Sequence, residues 1–222
     1  MPKVTDAHRE QRRQQILTAA WDLFGHNGFH ATSMSEIIAA SGLSAGAVYL
    51  YFRSKEELIV AIARTALGTA RAVSAELLQA PAAVAPGEAV VRIIGGLQSL
   101  QRRAGGVMYA VAIQAWAEAV RNPTIASTAK RFFTDLLIDL GAILDRWVAD
   151  GHPLAGSTED LARMMAGSLQ GYVIQLASFG VVPDDGYLTV LGERITAMVS
   201  TPETASPKRD DSGGHHGATT GT

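Results

Sequence analysis

Apolar positions recur three and four residues apart along most of this chain. Over roughly 8–26, Ile16, Leu17, Ala20, Leu23 and Phe24 form one stripe, the spacing of an amphipathic helix. "GHNG" (25–28) then stops it, because Gly25 or Gly28 can take the left-handed conformation that closes a helix. Ser33-Met-Ser-Glu36 reads as a capping box, with serine closing the helix start and glutamate reaching back. The short helix it opens carries Ile37 and Ile38 and ends near Ser41-Gly42. Ser44 caps the next one. Ser54-Lys-Glu-Glu57 is a second box, opening a long helix through about Gln79 that "APAAVAPG" (80–87) breaks. Further helices are predicted over 88–103, 106–121, 124–150, 157–180 and 185–200, punctuated by "RAGG", "RNP", "DGHPLAGS" and "VVPDDG". No stretch alternates as a strand does, and no internal repeat is present. The predicted fold class is all-α. From about Thr201 the chain turns polar and rich in Gly, Ser and Thr, which predicts a disordered tail over 201–222.

Composition narrows this picture. The 222 residues are 47% hydrophobic, enough to bury a core. Cysteine is absent, which excludes disulfides, thiol nucleophiles and thiolate metal sites and fits a reducing compartment. The start, "MPKVTDAHREQRRQQ", lacks the apolar core of a secretory signal, and no apolar run suggests a membrane span. A cytoplasmic location without membrane attachment is therefore expected. Net charge is only −2. Residues 1–64 hold seven Lys/Arg against six Asp/Glu, and the remainder twelve against fifteen. That asymmetry has the right sign for an N-terminal DNA contact, but it is weak.

The stretch "SAGAVYLYFRSKEEL" (44–58) crowds aromatic and aliphatic residues into a short helix with Gly46 near its start. Two short helices joined by "SGLS" make a helix-turn-helix. The first half buries Ile37, Ile38 and Leu43. The second must supply both a core face, Val48 and Phe52, and a face for the major groove. Gly46 lets backbone approach a base edge. Tyr49 and Tyr51 carry hydroxyls that can reach phosphates. Lys55 sits in the first turn of its helix, the positive end of the dipole, where an anion would explain it.

"TSMSEIIAASGLSAGAVYLYFRSKEELIVAI" (32–62), with the preceding "LFGHNGFHATS", resembles the DNA-binding signature of the TetR family of bacterial transcriptional regulators over about residues 10–64. The resemblance implies a three-helix DNA-binding domain, about 1–52, and a larger helical domain, 53–200, that binds an effector and forms a homodimer. By position it also implies that Ser44, Ala45 and Gly46 approach bases, and that Thr32, Ser33, Tyr49, Tyr51 and Lys55 hold phosphates of double-stranded DNA. The family often has lysine where this chain has Ala45, and histidine or tyrosine where it has Leu50. Base readout is therefore expected to lean on backbone, small side chains and DNA shape. The implied function is a dimeric repressor released from a palindromic operator by a small effector. The competing reading is a helical ligand-binding or scaffold protein whose helix-turn-helix no longer binds DNA.

Two finer expectations concern the larger domain. Leu161, Met165, Ser168, Tyr172, Leu176 and Phe179, with Leu188, Leu191, Ile195 and Met198, form stripes that predict a four-helix dimer interface, helped by small Ala162, Ala166, Gly167 and Gly171. Met108, Ala112 and Trp116 share one helix face, large residues around a small one, and predict an apolar effector pocket. Tyr109 and Gln114 would be its polar groups, and Phe132, Phe133, Met164 and Gln170 its walls. With no Lys/Arg cluster on these faces, a lipophilic ligand is expected over a multiply charged one. No cofactor or metal is expected: His215-His216 lie in the tail and make no closed site. Ser127-Thr-Ala-Lys130 matches a hydrolase S-x-x-K but lacks its companion motifs. No constellation of acid, base and nucleophile points to an enzyme. His26 and His30 flank a turn, and Arg131 with Asp135 reads as a solvated i,i+4 pair.

Overall fold

A computed structural model of the chain describes residues 6–180 and 184–200, the side chains of 66, 67 and 185 excepted. The tail expected from 201 onward lies outside the described residues. The described helices are α1 (Asp6–Asn27), α2 (Met34–Ser41), α3 (Ala45–Tyr49), α4 (Lys55–Gln79), α5 (Pro86–Arg103), α6 (Met108–Ala119), α7 (Pro123–Ala149), α8 (Thr158–Phe179) and α9 (Asp185–Val199). The only extended pairing among the described residues is an isolated bridge, Leu154 to Ser200. The ends fall close to those the pattern predicts. Pro86 and Pro123 stand within the first turn of their helices. There a missing N–H costs no hydrogen bond, so both helices start slightly earlier than expected.

The apolar stripes close two cores. Ile16, Leu17, Ala20, Phe24, Phe29, Ile37, Val48 and Phe52 form the core of an N-terminal head. Leu58, Ile59 and Ile62 of α4 complete it, while Ala70 and Leu77 of the same helix lie in the larger core. The expected boundary at 52/53 falls shortly before α4, whose first turns are part of the head's packing. By length and hydropathy alone α4 would pass for a membrane span. Its apolar residues instead divide between these two cores. Val111 of α6 and Ile125 of α7 also reach the head core, so the two cores meet there.

Straps hold α4 against α7. Arg71 meets Asp135 at 3.3 Å and Asp139 at 3.4 Å, so Asp135 faces α4 rather than Arg131 on its own helix. Burial holds the Asp139 carboxyl above its usual range, against the pull of Arg71 and with the push of Asp135. The Arg146 guanidinium caps the last carbonyls of α4, those of Leu78 and Ala80. α9 lies on α5 through paired glycines. A Cβ on Gly87 would collide with the Gly192 carbonyl, and the Gly87 N–H donates to Thr196 Oγ1 at 3.0 Å.

Candidate nucleic-acid interface and ligand cavity

Each turn of the head is closed by a local bond. Ser33 Oγ accepts from Glu36 N (3.2 Å), and Ser33 N donates to Glu36 Oε2 (2.7 Å), completing the predicted box. These bonds, from the Ser33 backbone first and its hydroxyl second, hold the Glu36 carboxyl below its ordinary range. Gly42 closes α2 at φ 67°, a left-handed position that suits glycine. Ser44 Oγ accepts from Ala47 N at 3.3 Å and starts α3. The second box is only half made. Ser54 Oγ accepts from Glu57 N, but the Glu57 carboxylate takes the N–H of Arg53 instead.

α3 divides as expected. Val48 and Phe52 are buried in the head. Ser44, Ala45, Gly46 and Tyr49 are exposed and leave α3 a solvent-facing surface. A Cβ on Gly46 would meet nothing within 4 Å, so nothing inside the protein explains this glycine. Leu50 is 85% exposed beside Tyr49. Sequence reasoning marked Leu50 only as a departure from the family's pattern; the structure makes it the largest apolar group on this face. Tyr51 is half-buried against the head core.

Two expected phosphate ligands are used otherwise. Thr32 is buried, and its Oγ1 donates to the Gly28 carbonyl at 2.8 Å. Its hydroxyl therefore points inward, because the turn after α1 leaves carbonyls that need a donor. Lys55 Nζ donates to the carbonyls of Phe29 (2.9 Å) and Thr32 (2.7 Å) and lies 4.8 Å from the Phe29 ring centroid. Those carbonyls, rather than an external anion, offset a cation at the positive end of α4. One of its three N–H groups remains for a phosphate. Ser33 is exposed, with its hydroxyl engaged in the cap.

Between head and larger domain lies a cavity of about 410 Å³. Of the predicted lining, Met108, Ala112, Trp116, Phe132, Phe133 and Gln170 border it. Tyr109, Gln114 and Met164 do not. Tyr109 is buried against Tyr172, ring centroids 6.2 Å apart; burial pushes its phenol above the ordinary value. Met164 packs on the main core. Ile59, Val60, Ile62 and Ala63 of α4 line the cavity and were not anticipated, nor were Thr128 and Lys130 of α7. An apolar stripe in sequence does not say which part of it faces a void. Ser127 Oγ donates to the Thr124 carbonyl at 2.9 Å, an ordinary helical bond.

Gln114 has a different role from the one its sequence position predicts. Its Oε1 accepts from Phe29 N at 2.5 Å and its Nε2 donates to the Phe24 carbonyl at 3.0 Å. Glu118, one turn on, meets His30 Nε2 at 2.6 Å. A Cβ on Gly25 would collide with Val107, just before α6. One side of α6 is thus clamped to the turn between α1 and α2, while Met108, Ala112 and Trp116 face the cavity. Among the described residues, His26 bonds its own helix, at the Asp22 carbonyl.

The predicted dimer stripe is mostly core. Leu161, Met165, Tyr172 and Ile195 are buried within the monomer, as are Ala162 and Ala166. Ser168, Leu176, Leu188 and Leu191 are half-buried, and only Phe179 and Met198 are exposed. The reason is that α8 packs on α5, α6 and α7, so the strongest stripe is the inward one. The outward face of α8 carries Gly167, Gly171 and Ile174, and that of α9 Tyr187, Val190 and Met198. A Cβ on either α8 glycine would meet nothing within 4 Å.

The model of the N-terminal region of bacterial regulatory proteins, tetR family, matches residues 16–62, which is the head with its α4 closure. The head thus matches the DNA-binding region of that family. The chain is 46% identical over 66 residues to the uncharacterized HTH-type transcriptional regulator YfiR of Bacillus subtilis, covering 30% of this chain and 32% of that one. It is 34% identical over 118 residues to the HTH-type transcriptional regulator UidR of Escherichia coli, covering 53% and 57%. The matches therefore span a third to just over half of these curated relatives, which are transcriptional regulators and not enzymes. Salmonella enterica GusR has a similar fold, with a TM-score of 0.71 at 27% identity, over 89% of this chain and 98% of that one.

Proposed function

We propose that this chain is a homodimeric DNA-binding repressor, released from a palindromic operator by a small lipophilic effector. The observation that carries the proposal is the double role of α6: one side borders the cavity and the other is hydrogen-bonded to the head that presents α3. A ligand pushing on Trp116 or Ala112 displaces Gln114 and Glu118 with them. It also touches Ile59 and Ile62, so α4 carries the same displacement. Released heads no longer match half-sites spaced about 34–36 Å, or a multiple of that, apart. The exposed glycine face of α8, with the apolar face of α9, supports a two-fold helical interface. The DNA face supports contacts from Ser44, Ala45, Gly46, Tyr49 and Leu50 to bases and phosphates, with Tyr51 at its edge.

A gel shift with DNA selected by the protein from random fragments tests this reading. The expected result is a palindromic site whose binding is lost on adding an effective aromatic compound. Linkage requires that operator weaken the compound's binding by the same factor, typically about 5–150-fold. Failure to select any DNA would favour the competing reading of a ligand-binding protein with a silent helix-turn-helix. Full potency of the compound in Trp116→Ala would move the effector site elsewhere.

A further inference from the structure

The polar groups of the cavity share one character. Among its lining residues Lys130 alone is charged, and no carboxylate borders it. Its ammonium is in none of the ion pairs among the described residues, and neither the Trp116 indole N–H nor the Gln170 amide is bonded to another described group. Thr128 spends its proton on the Thr124 carbonyl at 3.1 Å. The unspent capacity is thus mainly donor capacity: one cationic donor, one indole N–H and one amide.

These groups are also arranged in depth. Ile93, Met108, Val111 and Leu169 are buried, whereas Lys130 and Phe133 are exposed at the rim. Apolar walls of low dielectric focus the field of a lone cation into the space they enclose. A second or third charge on a ligand would be buried without a partner, at substantial cost. Trp116, Phe132 and Phe133 offer aromatic faces to a planar body. We propose that the effector is a small aromatic acid in its singly ionised form, its ring among Trp116, Phe132 and Phe133 and its carboxylate at Lys130, with Gln170 and Trp116 as further donors. This rests on the cavity being the effector site.

Calorimetric titration of the full chain with naphthalene-2-carboxylate and with the neutral 2-naphthamide tests it. The acid should bind about ten-fold tighter, the scale of a charge-assisted hydrogen bond partly screened at a rim. Lys130→Met should remove that preference and leave amide binding intact. Trp116→Ala should weaken both probes. Equal binding of acid and amide, or a preference that survives Lys130→Met, would overturn the charge assignment while leaving the cavity as effector site. If neither probe binds at millimolar concentration, or if Trp116→Ala leaves both unaffected, the cavity reading itself fails, and this inference with it.

Discussion

Gly46 and Lys55 show how far a single residue can be read. Gly46 lies inside α3, has an ordinary backbone, and faces open space. Internal packing does not need it, so Gly46→Ala should raise stability by about 0.5–1 kcal/mol through lower chain entropy. If the backbone approaches a base edge there, the same change weakens operator binding. Thermal unfolding and gel shift should therefore move in opposite directions; a variant that gains stability and keeps full affinity would remove Gly46 from the interface. Lys55 is the converse case. Its two carbonyl bonds tie α4 to the turn after α1. Lys55→Met should cost about 1.5–3 kcal/mol in denaturant unfolding, the scale of hydrogen bonds to a charged donor. It should also flatten the salt dependence of DNA binding by about one unit if the remaining N–H holds a phosphate. Destabilisation with an unchanged salt slope would make Lys55 purely a fastener of the head.

Among elements, α6 joins the cavity to the head. It touches the cavity through Trp116 and the head through Gln114 and Glu118. Gln114→Leu keeps the helix but leaves the Phe29 N–H and the Phe24 carbonyl without this partner. The expected outcome is effector binding close to wild type with a reduced ligand-dependent loss of DNA binding, because displacement of α6 no longer drags the turn. Titrating effector into the operator complex measures it, and undiminished release would assign the coupling to α4 alone. Acid acts on a second set of elements. The Glu36 carboxyl is held below its ordinary range by the Ser33 backbone N–H and hydroxyl, and that of Glu56 chiefly by the Ser54 hydroxyl. Lowered values mean that the folded state binds fewer protons. The stabilisation is therefore complete above the unfolded carboxylate value and lost as pH falls through the lowered one. Glu36→Gln should flatten the acid limb of a stability–pH profile measured by urea unfolding.

For the whole molecule, the proposed homodimer rests on the outward faces of α8 and α9. Ile174 and Val190 are exposed, and Gly167 and Gly171 leave the α8 backbone open to a neighbour. Ile174→Glu should yield monomers in sedimentation at micromolar concentration and weaken binding to a two-half-site operator far more than to one half-site. A dimer that persists in this variant would place the interface elsewhere.

Sequence periodicity, caps and breakers determined the helices, because each depends on neighbours within a few residues: Ser33 with Glu36, Gly42 after α2, Pro86 and Pro123 at helix starts. The division of α3 into buried Val48 and Phe52 and exposed Ser44, Ala45 and Gly46 was legible for the same reason. Tertiary structure decided what each stripe faces. Leu161, Met165 and Tyr172 repeat as an interface would, but a monomer core needs the same spacing. Lys55 is charged and near a helix start, but only the folded turn brings the Phe29 and Thr32 carbonyls to it from more than twenty residues away. Gln114 reaches Phe24 and Phe29 across a still longer separation. The cavity, likewise, exists only where α4, α5, α6, α7 and α8 meet, and no local pattern encodes that meeting.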